Sequence, residues 1–358
     1  MSSVLNFAYY LPQFYPMELN AKYWGEGFTE WNSLVKAQRG SRSPSDCTIT
    51  PGELGFYDLR SRDIRVRQGE LARAAGLSAF AVYHYWSAGH RVMSEVVDAI
   101  SVDGAPDFPF FLFWANHDWT LAWQGRPDVV TLKQEYECPS DYGHIDYILS
   151  MAENSRYTKL SGRPLIGVFD VMAVPDFNEV VESWNRRAIE AGWDGVCVIA
   201  VDRPVADTLD FNVDMWVQNL GSAFGRIPNF KFALELLKNP LQAARFVAKG
   251  DRRVPADVIE QALVEDLKAS GRSLVPMVLP GWNNSGRRPR RAWYTNLGPE
   301  SLQRQLNNVS EFRKGFRVGD EKVEVLCVNA WNEWGEGMAV EPSVEYGREC
   351  LEVLRRHL

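Results

Sequence analysis

The sequence predicts an α/β fold, namely a single (β/α)8 TIM barrel with long βα loops. Eight short runs of consecutive apolar residues alternate with helical segments along the 358 residues. Strands that are apolar throughout are typical of a parallel sheet covered by helices on both faces. Eight such units at this length favour a closed barrel over the alternative, a doubly wound open sheet. No Gly-x-Gly-x-x-Gly motif follows the first strand, which weakens a dinucleotide-binding version of that alternative.

The first half of the chain contains four of the predicted strands. They are 5–10, 78–83, 108–113 and 164–169. Apolar residues at helical spacing predict helices at 63–75, 93–100 and 140–153. The segment from Leu11 to Arg60 is rich in tryptophan, proline and glycine. We predict it to be one long loop, and loops of this length are usually functional.

The second half contains the other four predicted strands, at 195–201, 214–217, 274–279 and 323–328. An amphipathic helix is predicted from Phe177 to Ala191, where Gly192 stops it. Further helices are predicted at 232–237, 257–269, 299–309 and 344–356, and Pro299 opens the third of these. Residues 220–256 are irregular and carry basic patches. We interpret them as an insertion into a single catalytic domain that spans 1–358.

Composition and charge exclude several classes of protein. Lys and Arg number 39 against 46 Asp and Glu, so the net charge is -7 and the chain is a poor nucleic-acid binder. The five cysteines are widely spread without a Cys-x-x-Cys motif, so neither a disulfide framework nor a zinc site is indicated. The N-terminus lacks a signal-peptide pattern, and no stretch is apolar for the length of a membrane span. We therefore expect a cytoplasmic protein with no integral membrane segment.

The stretch from Val325 to Gly337 is the most informative part of the chain. It begins as an apolar strand and then, over 331–337, carries two indoles, two glutamates and two glycines. Glycines permit tight turns and a close approach of a ligand to the backbone. Indoles beside carboxylates suit a sugar ring, because the indole covers the apolar face and the acids bind the hydroxyls. The alternative is an acidic helix N-terminus that the helix dipole stabilises.

Polar and aromatic side chains follow the predicted strands. In a barrel the carboxyl ends of the strands converge on one face, where active sites lie. For single residues an alternative stays open, since Asp170 and Asp202 also suit capping and His84 also suits hydrogen-bonded packing. The residues at the strand ends are His84, Trp86, Asn116, His117, Asp118, Asp170, Asp202, Gln218, Asn219, Trp282, Asn283, Glu333 and Glu336.

The motifs of other reaction classes are missing from the sequence. There is no Gly-x-Ser-x-Gly nucleophile elbow, no phosphate-binding Gly-x-x-x-x-Gly-Lys-Ser/Thr loop and no zinc-binding spacing of histidines. A hard cation held by carboxylates is the remaining metal alternative, and the prediction is neither metal nor cofactor. Paired carboxylates with lining tryptophans fit acid/base catalysis at an acetal, which is glycoside chemistry.

Seven motifs spread over nearly the whole chain carry a family resemblance. They are Tyr10-Leu-Pro-Gln-Phe14, Trp24-Gly-x-Gly-Phe-Thr-Glu-Trp31, Leu54-Gly-Phe-Tyr-Asp-Leu-Arg60, Tyr83-His-Tyr-Trp86, Trp114-Ala-Asn116, Pro280-Gly-Trp282, and Ala330-Trp-Asn-Glu-Trp-Gly-Glu-Gly337 followed by Glu341-Pro342. With them the chain resembles the WbsX-type proteins of bacterial surface-polysaccharide loci, a group similar to the endo-α-mannosidase-like glycoside hydrolase family 99. The resemblance implies a (β/α)8 barrel that acts on glycosidic bonds with retention.

The resemblance also implies roles for the two glutamates. In the family 99 enzymes the first carboxylate of the Asn-Glu-Trp-x-Glu motif deprotonates the sugar 2-hydroxyl, which attacks C1 to give a 1,2-anhydro sugar. The second carboxylate is the general acid and then the base. Carried over, Glu333 is the base and Glu336 the acid/base, in contrast to the usual retaining pattern with a carboxylate nucleophile.

The predicted substrate-binding residues come from the strand ends and the matched motifs together. Among them we expect the indoles of Trp24, Trp86, Trp114, Trp282 and Trp334 to surround the mouth of the barrel. The full set is Tyr10, Trp24, Glu30, Trp31, His84, Trp86, Trp114, Asn116, His117, Asp118, Asp170, Asp202, Trp282, Asn283, Asn332 and Trp334.

The sequence departs from the family pattern near the expected sugar site. The family often has His at the position of Tyr15. It usually has Glu-Asn at the positions of His117 and Asp118, and Asp at the position of Asn283. The match is also poor across 220–256. The identity of the sugar therefore does not carry over.

Three functions stay open at this point. We favour a glycoside hydrolase-like enzyme that acts on an oligosaccharide or polysaccharide. The alternative is a glycosyltransferase of O-antigen or capsular polysaccharide biosynthesis with a lipid-linked or nucleotide-sugar donor, which the missing export signal supports. The second alternative is a non-catalytic sugar-binding protein, which does not need two glutamates three residues apart. The basic run Arg287–Arg291 is either a site for an anionic group or a solvated loop.

Overall fold

The computed structural model describes residues 2–40, 49–121, 126–136, 138, 142–203, 210–227, 236–238, 240–284, 293–295 and 297–358. The predicted helix at 232–237 falls mostly outside these residues. The basic run Arg287–Arg291 falls entirely outside them.

Eight parallel strands close into a barrel, which confirms the predicted fold class and excludes the open sheet. Each strand pairs with the next along the chain, and the last pairs with the first, so that Leu5 lies beside Val325. The strands are β1 (Ser2–Tyr10), β2 (Ala79–Ser87), β3 (Phe110–Trp114), β4 (Arg163–Val168), β5 (Cys197–Val201), β6 (Met215–Val217), β7 in two pieces (Leu274–Val275 and Met277–Val278) and β8 (Glu321–Val328).

Strand β7 consists of two pieces because Pro276 interrupts it. Proline has no backbone N–H to donate, but its carbonyl accepts a hydrogen bond from the N–H of Cys327 at 3.0 Å. The first piece pairs with β6 and the second with β8. The ring of strands therefore closes through the interrupted strand.

Side chains along the strands alternate between the barrel interior and the surrounding helices, as the period of two residues requires. Tyr9 of β1 contacts Phe113 of β3 across the interior, with ring centroids 5.0 Å apart. Gly167 of β4 lies against the same Phe113 ring. The neighbouring Tyr10 points outward, where its hydroxyl donates to Gln68 at 2.8 Å. Odd-numbered residues of these three strands thus face the interior.

Seven of the helices that the structure describes correspond to predicted ones, with bounds that shift by a few residues, while α1, α2, α7 and α8 are additional. The last helix begins at Glu349 rather than 344, because Ser343 and Gly347 exchange backbone hydrogen bonds in a turn before it. The helices are α1 (Glu18–Trp24), α2 (Glu30–Gly40), α3 (Arg62–Ala74), α4 (Ser94–Val102), α5 (Gly143–Ala152), α6 (Phe177–Glu190), α7 (Leu220–Gly225), α8 (Pro240–Lys249), α9 (Ala256–Ala269), α10 (Pro299–Val309) and α11 (Glu349–His357).

The segment 11–60 is not one loop, since it contains α1 and α2. Helix α1 ends at Gly25, whose φ of 98° favours glycine. Helix α2 begins with Glu30, an acid that the helix dipole favours in a first turn. Helix α1 has only seven residues, too few for helical periodicity to be recognised, and α2 carries few apolar residues. They place Trp24 and Glu30 at the mouth of the barrel.

The region 220–256 contains α7 and α8. Its interpretation as an insertion into a single domain stays a prediction. Among the helices that the structure describes, none is long and apolar enough to cross a membrane. Short strands outside the barrel are His90–Val92, Trp119–Leu121, Arg126–Leu132, Lys159–Leu160, Arg252–Arg253, Trp282–Asn283, Trp293–Thr295, Phe316–Val318, Asn332–Glu333 and Met338–Ala339.

The close contact at Gly167 predicts a sharp loss of stability in Gly167→Ala. A Cβ at this position would lie 2.0 Å from Phe113, which is fully buried and has no space to move into. Overpacking of this kind costs about 1–3 kcal/mol, and we expect at least that loss in the free energy of unfolding by denaturant. Gly271→Ala is the control, because nothing lies within 4 Å of its Cβ position. Equal stability of the two variants would contradict the tight packing of the interior.

Candidate active site

The carboxyl ends of the barrel strands open onto a cavity of about 490 Å³. Helices α1 and α2 add Asn20, Trp24 and Glu30 to its wall. The cavity therefore lies at the face on which barrel enzymes carry their active sites. Wall residues at or near the strand ends are Tyr9, Tyr85, Ala115, Phe169, Val201, Asn219, Met277 and Asn329.

A small hairpin after β8 carries the two glutamates. Its strands Asn332–Glu333 and Met338–Ala339 pair antiparallel, and one turn of 3-10 helix, Trp334–Glu336, joins them. Gly337 ends this turn with a φ of 66°, a conformation that favours glycine. The turn is what brings two acids three residues apart to the same side of the hairpin.

Glu333 and Glu336 both line the cavity. Glu333 is 7% exposed, and Glu336 is half-buried. The backbone before them is fixed to the barrel, because the N–H of Trp331 donates to the carbonyl of Tyr9 at 2.8 Å. The hairpin thus presents two carboxylates to one cavity.

Tyr83 of β2 lines the same cavity. Burial, and then the charge of Glu333, raise the pKa of Tyr83 well above its ordinary value, and the charge of Glu336 adds to the effect. The Tyr83 ring stacks on Tyr9 with centroids 5.4 Å apart. The hydroxyl therefore stays protonated and can donate a hydrogen bond near the two glutamates.

Four of the predicted substrate-binding residues line the cavity, namely Trp24, Glu30, His117 and Asp118. Burial and the charge of Arg203 lower the pKa of His117, so this ring is neutral at physiological pH. Asp118 accepts a hydrogen bond from the backbone N–H of Gln134 at 2.7 Å. In the part of the chain that the structure describes, no group of three or more His, Cys, Asp or Glu is arranged to hold a metal ion.

Of the five tryptophans that we expect around the mouth, Trp24 lines the cavity, and Trp86, Trp114, Trp282 and Trp334 are not among its lining residues. Trp334 is 1% exposed, and its indole N–H donates to the carboxylate of Glu341 at 2.7 Å. A buried indole needs an acceptor for its N–H, which turns this ring away from the cavity. Trp282 packs on Phe224 instead, with ring centroids 4.0 Å apart.

Trp86 and Trp114 belong to a buried cluster behind β2 and β3, together with His84 and with His144 of α5. The Nε2 atoms of the two histidines are 3.1 Å apart. Trp86 stacks on His144, and the Trp114 indole donates to the carbonyl of Trp86 at 2.9 Å. For His84 the structure thus shows the packing alternative, because its side chain lies against α5 rather than in the cavity.

Tyr10, Trp31 and Asn332 also lie behind the cavity wall. The side-chain amide of Asn332 pairs with both backbone groups of Leu11, at 2.7 and 3.0 Å. The indole of Trp31 donates to the carbonyl of Tyr57 at 2.7 Å. These side chains hold the hairpin against the loop after β1, so they support the site without lining it.

The last four predicted residues lie near the cavity without lining it, namely Asn116, Asp170, Asp202 and Asn283. Asn116 pairs with both backbone groups of Asp170, at 2.7 and 2.8 Å. The Asp170 carboxylate accepts from the N–H of Met172 and forms an ion pair with Arg203 at 3.0 Å. Capping is therefore the role that the structure gives Asp170. Asp202 and Asn283 are buried.

Glu341 is a buried carboxylate that sequence reasoning missed, although it stands in a matched motif. It is 2% exposed and lies directly behind the hairpin. Its oxygens accept hydrogen bonds from Tyr57, Gln68 and Trp334 at 2.6 to 2.7 Å. Burial raises the pKa of Glu341 to about 7, against the opposing effect of these donors. Other wall residues that the prediction missed are Tyr9, Gln13, Asn20, Tyr83, Tyr85, Trp119, Thr120 and Phe169.

The structure thus has a (β/α)8 barrel with two carboxylates in the wall of the cavity at its carboxyl-terminal face. Residues 6–354 match the model of the family described as Glycosyltransferase WbsX, and the chain belongs to this family.

Two curated relatives match nearly the whole chain. Both are described as "Uncharacterized protein WxcX" and come from two strains of Xanthomonas campestris pv. campestris. Each is 30% identical over 361 residues, which cover 98% of this chain and 49% of the relative. The chain thus spans about half the length of the curated relatives it matches.

Solved structures show the same fold. The chain is similar to the GH99 endo-alpha-mannosidase from Bacteroides thetaiotaomicron, with a TM-score of 0.55 and 14% identity over 98% of this chain and 94% of the other. It is also similar to a structure described as a glycoside hydrolase-like protein, with a TM-score of 0.57 and 15% identity over 100% and 94%. At these identities the likeness shows the fold alone.

The buried histidine pair predicts acid-sensitive stability. Burial lowers the pKa of His84 to about 3 and that of His144 well below its ordinary value of 6.5. Both rings stay neutral when the folded protein is acidified, whereas the unfolded chain takes up protons below pH 6.5. Stability that is present above pH 6.5 is therefore lost as the pH falls, by about 2 kcal/mol per histidine between pH 6.5 and 5.

The double variant His84→Gln/His144→Gln tests this loss, because two amides keep a hydrogen bond but do not titrate. We expect its free energy of unfolding to fall less than that of the wild type between pH 6.5 and 5. His90→Gln is the control, since His90 is exposed, and it should lose stability together with the wild type. Parallel curves for the wild type and the double variant would show that the pair is not kept neutral.

Proposed function

We propose that the protein is a carbohydrate-active enzyme that acts with retention on glycosidic bonds of a bacterial surface polysaccharide. The observation that carries the proposal is that Glu333 and Glu336 line one cavity at the carboxyl-terminal face of a (β/α)8 barrel, where barrel enzymes have their active sites. Family membership and the fold shared with a GH99 enzyme support it. A non-catalytic sugar-binding protein would not need this pair.

In the proposed reaction Glu333 is the base and Glu336 the acid/base. Glu333 takes the proton of the sugar 2-hydroxyl as that oxygen attacks C1, and Glu336 protonates the leaving oxygen. The product of this step is a 1,2-anhydro sugar. Glu336 then deprotonates the incoming hydroxyl, whose oxygen attacks C1 as the bond from C1 to O2 breaks, and Glu333 returns its proton to O2. This restores the 2-hydroxyl, both carboxyl groups and the original configuration at C1. The Tyr83 hydroxyl, which stays protonated near both acids, can donate to the sugar or to Glu333.

We assign sugar binding to the predicted residues that line the cavity. Trp24 supplies an indole face, while Glu30, His117 and Asp118 supply groups for hydroxyls. Tyr9 and Tyr85 add aromatic surface in place of the four expected indoles that do not line the cavity. The buried residues behind the wall are support rather than binding groups.

A second candidate is a glycosyltransferase, which the description of the family, Glycosyltransferase WbsX, favours. The same two glutamates would serve, because the 1,2-anhydro ring can be opened by a sugar hydroxyl instead of water. The donor would then be a lipid-linked oligosaccharide or a nucleotide sugar. Product analysis with and without acceptor sugars separates the two candidates, since hydrolysis yields new reducing ends and transfer yields longer chains.

Glu336→Gln and Glu333→Gln test the roles of the two acids. Glu336→Gln should slow substrates with poor leaving groups by roughly 100-fold or more, and activated aryl glycosides much less, because the latter leave without protonation. Glu333→Gln should slow both classes alike. The measurement is kcat/KM for an oligosaccharide and an aryl glycoside identified by screening, with Glu311→Gln, an exposed glutamate, as the control.

Three outcomes of these assays would contradict parts of the proposal. Full activity in both glutamine variants would remove catalysis from this hairpin. Rapid turnover of a 2-deoxy substrate, with a glycosyl group trapped on Glu333, would replace the anhydro route by double displacement. Saccharide binding without turnover under any condition would leave the sugar-binding alternative.

Trp24→Ala tests the position of the sugar. Loss of the one predicted indole that lines the cavity should raise KM about tenfold, which corresponds to about 1.4 kcal/mol of binding, with little change in kcat. Trp193→Ala is the control, because Trp193 lies before β5 beside Lys159 and does not line the cavity. An unchanged KM in Trp24→Ala would place the sugar elsewhere.

A further inference from the structure

We propose that Glu341 is a positioning residue, whose buried carboxylate holds the hairpin in the orientation that keeps Glu333 and Glu336 in the cavity. The inference rests on the proposed function of these two acids. It adds a third glutamate that does not touch the cavity and acts through its neighbours.

The contacts of Glu341 converge on the turn between the two catalytic acids. One carboxylate oxygen, Oε2, accepts from the indole N–H of Trp334 and from the hydroxyl of Tyr57, both at 2.7 Å. Trp334 begins the turn that separates Glu333 from Glu336. Because Trp334 lies in the turn between the two acids, the bond from its indole to the carboxylate anchors the turn to the protein behind it.

The same carboxylate also fixes the residue before Glu333. The Tyr57 hydroxyl that Glu341 binds is 3.5 Å from the Nδ2 of Asn332. Asn332 in turn pairs with both backbone groups of Leu11. Both chain neighbours of Glu333 are thus held, one by Glu341 directly and one through Tyr57.

The three donors around Glu341 are bound most strongly when its carboxylate is ionised, because a charged oxygen is a stronger acceptor than a neutral one. Its second oxygen, Oε1, accepts from Nε2 of Gln68 at 2.6 Å, and Gln68 accepts from the hydroxyl of Tyr10. The other titratable groups that face it are the hydroxyls of Tyr10 and Tyr57, whose own pKa values burial raises. Since the pKa of Glu341 is about 7, protonation near neutral pH removes one acceptor position. We expect the orientation of the turn, and with it kcat, to weaken as the pH falls through this range.

A glutamine at 341 has nearly the same shape but only one acceptor oxygen. Its amide N–H2 would face either Gln68, with the loss of one hydrogen bond, or the donors on Trp334 and Tyr57, with the loss of two. In either case the neutral amide is a weaker acceptor than the carboxylate. Because the volume is kept, the fold should survive while the turn is held less firmly. A variant that folds normally but has a lower kcat would show a positioning role, whereas a merely structural role would lower stability.

The first experiment compares Glu341→Gln with the wild type on the best substrate found. A misplacement of reacting groups by about 1 Å costs on the order of 100-fold in rate, so kcat should fall by about that factor. KM should stay within about threefold, and the acid limb of the pH–kcat profile near pH 7 should disappear. The control is Glu260→Gln, a buried glutamate bound to Ser301 and Arg304 away from the cavity, which should leave kcat and the profile unchanged. Wild-type kcat and profile in Glu341→Gln would overturn the inference.

The second experiment does not depend on turnover. The indole ¹⁵N–¹H signal of Trp334, assigned by its loss in Trp334→Phe, should shift with pH near 7 in the wild type and not in Glu341→Gln. If the wild type cleaves no glycoside at all, the proposed function fails. The indole signal would still show whether the carboxylate of Glu341 holds the turn. An indole signal that neither pH nor Glu341→Gln changes would show that the carboxylate does not hold the turn.

Discussion

A carboxylate at 2% exposure is costly to ionise unless hydrogen-bond donors surround it, and Glu341 has three. The donors come from separate parts of the chain, since Tyr57 precedes α3, Gln68 lies on α3 and Trp334 belongs to the hairpin. Each donor is itself buried, so a missing acceptor would leave three polar groups unsatisfied at once. One ionisable group therefore ties α3 and its preceding segment to the hairpin that carries the acids of the cavity.

The fold was predictable because burial on both faces makes each barrel strand apolar throughout, and this signal survives small errors in strand ends. The site was less predictable, because adjacent residues of a strand face opposite sides. Tyr9 lines the cavity where Tyr10 was predicted, and Tyr83 and Tyr85 line it where His84 and Trp86 were predicted. In these two strands the residue that lines the cavity is thus the neighbour of the residue that the pattern indicates.

The positions of the tryptophan side chains were also hard to predict from sequence. Sequence places an indole beside a strand end but does not say whether its N–H will meet a buried acceptor or its face will meet a ligand. Trp334, Trp31 and Trp114 each donate to a protein oxygen at 2.7 to 2.9 Å. Many residues of the matched motifs therefore build or support the hairpin and do not line the cavity. Trp24, on a helix that sequence reasoning did not detect, lines the cavity.

The choice between hydrolysis and transfer does not lie in the two glutamates. A retaining reaction forms an intermediate that either water or a sugar hydroxyl can open, and the same base serves both. What separates the outcomes is whether the space beside the intermediate holds an ordered sugar or water. The cavity wall after β3 and β4 contains His117, Asp118 and Phe169, and His117 and Asp118 stand where the resemblance implies Glu-Asn. If the hairpin supplies the chemistry that we propose, both reactions share it, and the difference between them has to come from the rest of the cavity wall.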